Sequence, residues 1–180
     1  MKSYFFLVLL LSGLTLRAQD LPIKWATQET FFEELIGKDL PDFQGLNMKG
    51  QRFFKSNLLQ QVTVINFWFE ACRPCIEEIP SLNQLEQQYG TKNVRFIGIT
   101  HDPVYRAKRF QKRSGYQYEI IHLTREEIAK LNINHGFPSN ILVGKNGKIL
   151  AAMANISFTD IAYKEKSFLF EKKLSEAISH

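Results

Sequence analysis

Cysteine is scarce in this sequence: two in 180 residues, both within one tetrapeptide. A fold stapled by several disulfides is therefore excluded. So is a multi-metal protein, because two cysteines and four histidines supply too few ligands. Six prolines and ten glycines are too few for a collagen-like or Pro/Gly-rich disordered chain. Internal repeats, low-complexity tracts and linker-like stretches are absent. What remains, 44% hydrophobic and 23% charged residues, is the ordinary make-up of one folded domain. A domain of about 160 residues buries roughly two thirds of its unfolded surface and needs no staple. The two cysteines are free for chemistry.

The one long apolar run lies at the start. Lys2 precedes an uncharged stretch, residues 4–16, and Ala18 offers a small residue for cleavage. Residues 1–18 read as a secretory signal peptide, shorter than the ~20 residues that span a bilayer. The alternative is an uncleaved N-terminal anchor. Removing 1–18 takes away Lys2 and Arg17 and no acid, so the formal charge falls from +5 to +3. Export, with so mild a charge, sets nucleic acid aside as a partner.

Residues 19–36 read as an N-terminal extension, with a short helix over 27–36 stopped by Gly37. Residues 45–54 predict a hairpin around Lys49-Gly50. The dense β-branched and aromatic run 61–69 suits a strand buried on both faces. Ile76, Ile79, Leu82, Leu85 and Tyr89 recur at helical spacing over 75–89. A second buried strand follows at 94–100, then a basic helix from Asp102 or Pro103 to about Arg113. A short strand at 118–122 and a short helix at 125–131 come next. Residues 140–143 and 148–152 pair across Asn146-Gly147. A closing helix spans 164–179, with Phe170, Leu174 and Ile178 on one stripe. The fold class is α/β: a mixed central sheet with helices on both faces, parallel in its alternating part and antiparallel at the hairpin.

Chemistry concentrates at Cys72-Arg73-Pro74-Cys75, where a strand ends and a helix begins. Three residues apart on a first helical turn, the sulfurs can reach disulfide distance. Unpaired N–H groups at the helix start favour a thiolate on Cys72, and Pro74 suits that start. Cys72 is the expected exposed nucleophile, and Cys75, one turn in, the resolving thiol. A zinc site shares the spacing but needs two further ligands, and no second C-x-x-C or H-x₃₋₅-H exists here. An inert structural disulfide is the other alternative. Arg73 lowers and Glu70 raises the Cys72 pKa by comparable amounts. Trp68, just before the turn, is either core or a wall of the site. The run Arg106, Lys108, Arg109, Lys112, Arg113 reads as a solvated face or a docking face. His101, His122, His135 and His180 show no ligand spacing; His135 lies near the loop at Pro138.

The segment VINFWFEACRPCIEEIP resembles the active-site segment of the thioredoxin superfamily, and within it exported TlpA/ResA-type thiol-disulfide oxidoreductases (redoxin or AhpC/TSA-like). Further matches are the lead-in IGKDLPDF with its hairpin, Glu78 and Pro80 after Cys75, FIGITHDPVYRAKRF, Gly136-Phe137-Pro138-Ser139 and ILVGKNGKIL. The resemblance covers roughly residues 36–178. It implies a thioredoxin-like domain over 37–180, with an N-terminal hairpin addition and an inserted helix. It implies catalysis by Cys72 and Cys75, with Glu78 as a partly buried proton acceptor; the alternative for Glu78 is a first-turn acid favouring the helix dipole. It implies a cis Phe137-Pro138 bond facing the cysteines, with substrate meeting Phe137, Pro138, Trp68, Arg73 and Pro74. No cofactor beyond the redox-active disulfide is implied, and no metal. The implied partners of this monomer are exported proteins with cysteine pairs, such as apocytochrome c, reduced by this chain. An upstream membrane thiol donor or thioredoxin-type reductase would resupply it. Departures from the family are Ala71, where Trp is usual, Phe69-Glu70 for a smaller pair, and Asn66 where cytosolic thioredoxins keep a buried Asp. A thiol peroxidase is the rival enzyme, although Glu70-Ala71 does not supply the T-x-x-C context of a peroxidatic cysteine. A non-catalytic binding module is the second rival.

Overall fold

The computed structural model describes residues 32–132 and 135–179. The expected signal peptide and residues 19–31 of the expected extension lie outside the described residues. Of the helix expected over 27–36, residues 32–33 are helical and a turn follows.

One mixed sheet organises the domain. Its strands are β1 (Gln44–Asn47), β2 (Arg52–Phe54), β3 (Val62–Phe67), β4 (Val94–Thr100), β5 (Glu119–His122), β6 (Ser139–Val143) and β7 (Ile149–Met153). They lie in the order β2-β1-β5-β4-β3-β6-β7. Strands β3, β4 and β5 run parallel, and β6 and β7 add antiparallel neighbours on one side. On the other side the β1/β2 hairpin adds through β1 to β5, also antiparallel. The expected hairpin addition is thus part of the same sheet.

Every residue of β3 is buried, as its dense β-branched and aromatic run requires of a central strand. Alternate residues feed two cores. Val62 and Val64 join Leu82, Leu85, Phe110, Phe170 and Leu174 on one face. Ile65 and Phe67 join Leu40, Phe43, Leu58, Ile128 and Leu131 on the other. Each such side chain contributes about 1.5–3 kcal/mol on burial. The helices are α1 (Arg73–Glu77), α2 (Ile79–Tyr89), α3 (Val104–Ser114), α4 (Arg125–Leu131) and α5 (Lys164–Ser179). Helices α2, α3 and α5 cover the first face and α4 the second, so helices flank both faces as expected.

The sequence predicts one helix over 75–89, and the chain forms two. Pro80 has no N–H to continue the ladder, and its ring crowds the carbonyl four residues back, so the helix breaks at Glu78. Ile76 consequently leaves the apolar stripe on which the periodicity placed it and is 39% exposed. Glu78 turns inward at the break and is fully buried.

Candidate functional site

Strand β3 runs out at Phe67, and the chain turns through Trp68–Ala71 into α1. Trp68 N–H donates to Ile99 O at 3.0 Å, and Cys72 N–H to Phe69 O at 3.0 Å, which fixes the turn. Cys72 is the N-cap of α1, and Pro74 stands in its first turn. Cys72 and Cys75 are joined in a disulfide with Cα atoms 5.3 Å apart. The Cys75 N–H donates to Cys72 Sγ at 3.3 Å. A backbone dipole therefore points at the sulfur of the first cysteine.

The expectation of an exposed Cys72 needs correction. Cys72 is 5% and Cys75 3% exposed, and both belong to the core cluster against which Phe69 and Phe137 pack. The two cysteines differ in hydrogen bonding more than in burial. Trp68, proposed as a substrate contact or as core, is core: at 2% exposure it stacks on Phe110 with ring centroids 4.6 Å apart. It also meets Tyr116 edge-on at 5.5 Å. Gly98 makes room for this pair, because a Cβ there would lie 2.4 Å from Tyr116 Oη and 2.8 Å from Trp68 Nε1.

The charges beside the cysteines are each engaged elsewhere. Arg73 pairs with Glu77 at 2.7 Å in solvent. Glu70 pairs with Arg113 of α3 at 3.0 Å. Asp102 accepts the Glu70 N–H, binding the turn to the end of β4. Neither Arg73 nor Glu70 is thus a free charge aimed at Cys72.

Glu78 lies one helical turn beyond Cys75, at the centre of a buried polar network. Asn66 Nδ2 donates to its Oε1 at 2.7 Å. Asn140 Nδ2 and Ile156 N–H both donate to its Oε2 at 3.0 Å. Asn66 Nδ2 also reaches Asn140 Oδ1 at 3.0 Å, and Tyr116 Oη donates to Asn66 Oδ1 at 2.8 Å. Burial pushes the Glu78 pKa up to about 8 against the opposing pull of these donors. Full burial replaces the partial burial the sequence predicts. Glu78 is both the C-cap of α1 and the N-cap of α2, but its carboxyl makes no capping bond there and is instead buried in this network, which the reading as a first-turn acid does not account for. Burial likewise raises Tyr116 well above the ordinary phenol range.

The Phe137-Pro138 peptide is cis. Phe137 meets Phe69 edge-on at 5.1 Å and His101 at 5.6 Å, and Phe69 lies 5.4 Å from His101. The proline loop therefore contacts the cysteine turn through a three-ring cluster. Beside it, Phe69, His101, Arg125, Ile128, Asn132 and Phe137 line a cavity of about 440 Å³. His101 belongs to this cluster, a placement that sequence spacing did not show. His135, near the loop in sequence, packs on Phe32 at 4.6 Å. Burial, then the Arg125 charge, hold His101 below the usual imidazole range.

Sequence reasoning also missed Asn140, Tyr116 and the Ile156 N–H. The available signal was an asparagine in each of two apolar strands, and these pair in register, Asn66 opposite Asn140. Among the described residues, no group of three or more His, Cys, Asp or Glu side chains is placed to hold a metal ion.

Comparison with known proteins agrees with this arrangement. The chain is 28% identical over 116 residues to the thiol-disulfide oxidoreductase ResA of Bacillus anthracis, covering 64% of this chain and 67% of that one. It is 25% identical over 132 residues to ResA of Geobacillus kaustophilus, covering 71% and 76%. Among solved structures it resembles a thiol:disulfide interchange protein of the thioredoxin family from Chlorobium tepidum TLS. That match has a TM-score of 0.62 and 22% identity, over 79% of this chain and 97% of the other. A thiol:disulfide interchange protein from Bacteroides sp. matches with a TM-score of 0.62 and 21% identity, over 76% and 88%. These structures establish a thioredoxin-like fold. A cysteine pair at a strand-to-helix turn, faced by a proline loop on that fold, accords with the match of residues 36–152 to one family: the chain belongs to the AhpC/TSA family.

Proposed function

We propose that this protein is a thiol-disulfide oxidoreductase that reduces cysteine pairs of exported proteins, in the service of cytochrome c maturation. One observation carries the reading: the Cys75 N–H points at the Cys72 sulfur, in a disulfide at the start of a helix. The ResA relatives are thiol-disulfide oxidoreductases by name.

In the reduced form, the N–H that meets Cys72 Sγ stabilises a thiolate there. That thiolate attacks one sulfur of a substrate disulfide and expels the other as thiolate. The Cys75 thiol then loses its proton and attacks Cys72 Sγ. This closes the observed disulfide and releases the substrate dithiol, so that two electrons have moved. Glu78 is the acceptor for the Cys75 proton. Only the ionised form of Glu78 accepts that proton, and with a pKa of about 8 this form grows as pH rises toward 8; the proton returns when the disulfide is reopened. Extended substrate backbone docks along Phe137, before the cis proline, as an added strand. Arg73 and Pro74, on the exposed side of α1, and Ile76 border the approach.

In this reading residues 1–18 direct export to the periplasm, residues 37–180 form the working domain as a monomer, and a membrane thiol donor or thioredoxin-type reductase resupplies electrons. The cysteine pair is the only redox group required. The test is a redox titration of the Cys72/Cys75 pair together with turnover of a disulfide peptide of the C-x-x-C-H type. A potential below about −250 mV supports a reductant, and one near −120 mV shows an oxidant instead. Peptide reduction that survives Cys72→Ser overturns the reading, as does peroxide consumption faster than peptide reduction.

A further inference from the structure

The chain carries a formal excess of +5, and helix α3 alone holds five cations and no acid: Arg106, Lys108, Arg109, Lys112 and Arg113. Solvent exposes all five, while Ala107 and Phe110 anchor the opposite face in the core beside Trp68. Helical spacing sorts the cations into two stripes. Arg106, Arg109 and Arg113 form one. Tyr105, Lys108, Arg109 and Lys112 form the next, with Tyr105 63% exposed.

The arginine stripe borders the active-site turn. Arg113 is paired to Glu70, two residues before Cys72, and Arg106, whose main partner is the Tyr105 hydroxyl, also feels the charges of Glu70 and Asp102. Those two carboxylates are the acids facing the stripe, and both are committed to the turn: Glu70 to Arg113, Asp102 to the Glu70 N–H. Among the described residues Lys108, Arg109 and Lys112 have no ion-pair partner. A cationic strip therefore lies alongside the redox turn over the length of the helix, with Arg106 and Arg113 both next to Glu70.

We infer that α3 is an electrostatic docking surface for an acidic segment of the polypeptide whose cysteines meet Cys72. This rests on the exchange reading above and adds the character of the partner. Charge complementarity selects the occupant. Like charges so concentrated repel one another, and an acidic segment relieves that repulsion while bringing a cysteine pair to the adjoining turn. A lipid surface fits less well, because interfacial helices bury an apolar face in the membrane, and the apolar face of α3 is buried inside the domain.

The experiment uses the full chain and two disulfide peptides, identical except for four flanking residues, Glu in one and Lys in the other. A neutral small disulfide, 2-hydroxyethyl disulfide, reports the chemistry alone. Reduction of the acidic peptide should exceed that of the basic one by roughly tenfold at low salt and approach it near 0.5 M salt. Arg109→Glu with Lys112→Glu should erase or invert that preference and leave reduction of the neutral disulfide unchanged. Equal kcat/KM for both peptides, or a preference that survives the double substitution, overturns the docking surface while the neutral disulfide is still reduced. Loss of the neutral reaction in the unaltered protein instead overturns the exchange reading. Anionic vesicles that bind the protein through α3 more tightly than the acidic peptide does would show a lipid surface and overturn the protein partner.

Discussion

Asn66 donates its side-chain amide to Glu78 at 2.7 Å, joining the central strand to the break between the first two helices. The bond belongs to a network that surrounds a single ionisable group. Glu78 binds its proton in the folded state up to about pH 8, against an ordinary value of 4.5. Between those values the folded protein holds one more proton than the unfolded chain. The stabilising contribution is complete below pH 4.5 and is lost as pH rises toward 8. Unfolding free energy of the disulfide form should therefore fall across that window, with a slope of up to about 1.4 kcal/mol per pH unit from this group. Glu78→Gln should flatten the slope. The amide places a donor among donors, so overall stability shifts too, but the slope is the readout. Denaturant titrations at a series of pH values check this, and equal slopes for the two proteins would refute it.

That network marks where sequence reading stops. The central strands, the two-cysteine turn and the closing helix were legible because apolar period and burial coincide. Asn66 and Asn140 were each visible as a polar residue inside an apolar strand. Their pairing was not, since it depends on the register of two strands 74 positions apart. Glu78 was identified by its place after Cys75, whereas its full burial follows from a helix break that the apolar periodicity smoothed over. The same periodicity misplaced Ile76. Tyr116 sits between elements, where no period operates, so its bond to Asn66 left no local trace.

Gly98 tests whether the packing beneath the site is tight. An added Cβ meets Tyr116 Oη at 2.4 Å and Trp68 Nε1 at 2.8 Å, and both rings are held by neighbours in the core. Gly98→Ala should cost about 1–3 kcal/mol through overpacking. It should also disturb the Tyr116 bond to Asn66, seen as a change in tryptophan fluorescence of the native state. A denaturation midpoint within error of the unaltered protein would show that the layer yields more easily than the distances imply.

Phe137 should govern which substrates fit. Its ring closes the cluster with Phe69 and His101, so the cavity beside the proline loop is bounded by a bulky wall. Phe137→Ala removes that wall and leaves in place the backbone proposed to pair with substrate. The kcat/KM ratio for peptides with a large residue next to the cysteine, relative to a small one, should rise by roughly tenfold. An unchanged ratio in competition assays would mean that side chains flanking the cysteine do not enter this cavity.

The division of labour between the sulfurs is open to direct trapping. Burial differs little between Cys72 and Cys75, so accessibility alone does not choose the nucleophile. Hydrogen bonding does: the Cys75 N–H reaches Cys72 Sγ, and a backbone donor survives substitution of the Cys75 side chain. In Cys75→Ser the remaining thiol should therefore titrate below the ~8.5 of a free cysteine, read from the pH dependence of alkylation. The same variant lacks the second attack and should accumulate a mixed disulfide with a substrate peptide. Cys72→Ser leaves a thiol one turn inside the helix without that donor, and should neither titrate low nor trap. Mass spectrometry identifies which sulfur holds the peptide. Trapping through Cys75, or equal alkylation profiles in the two variants, would reverse the assignment and remove the helix start as the source of reactivity.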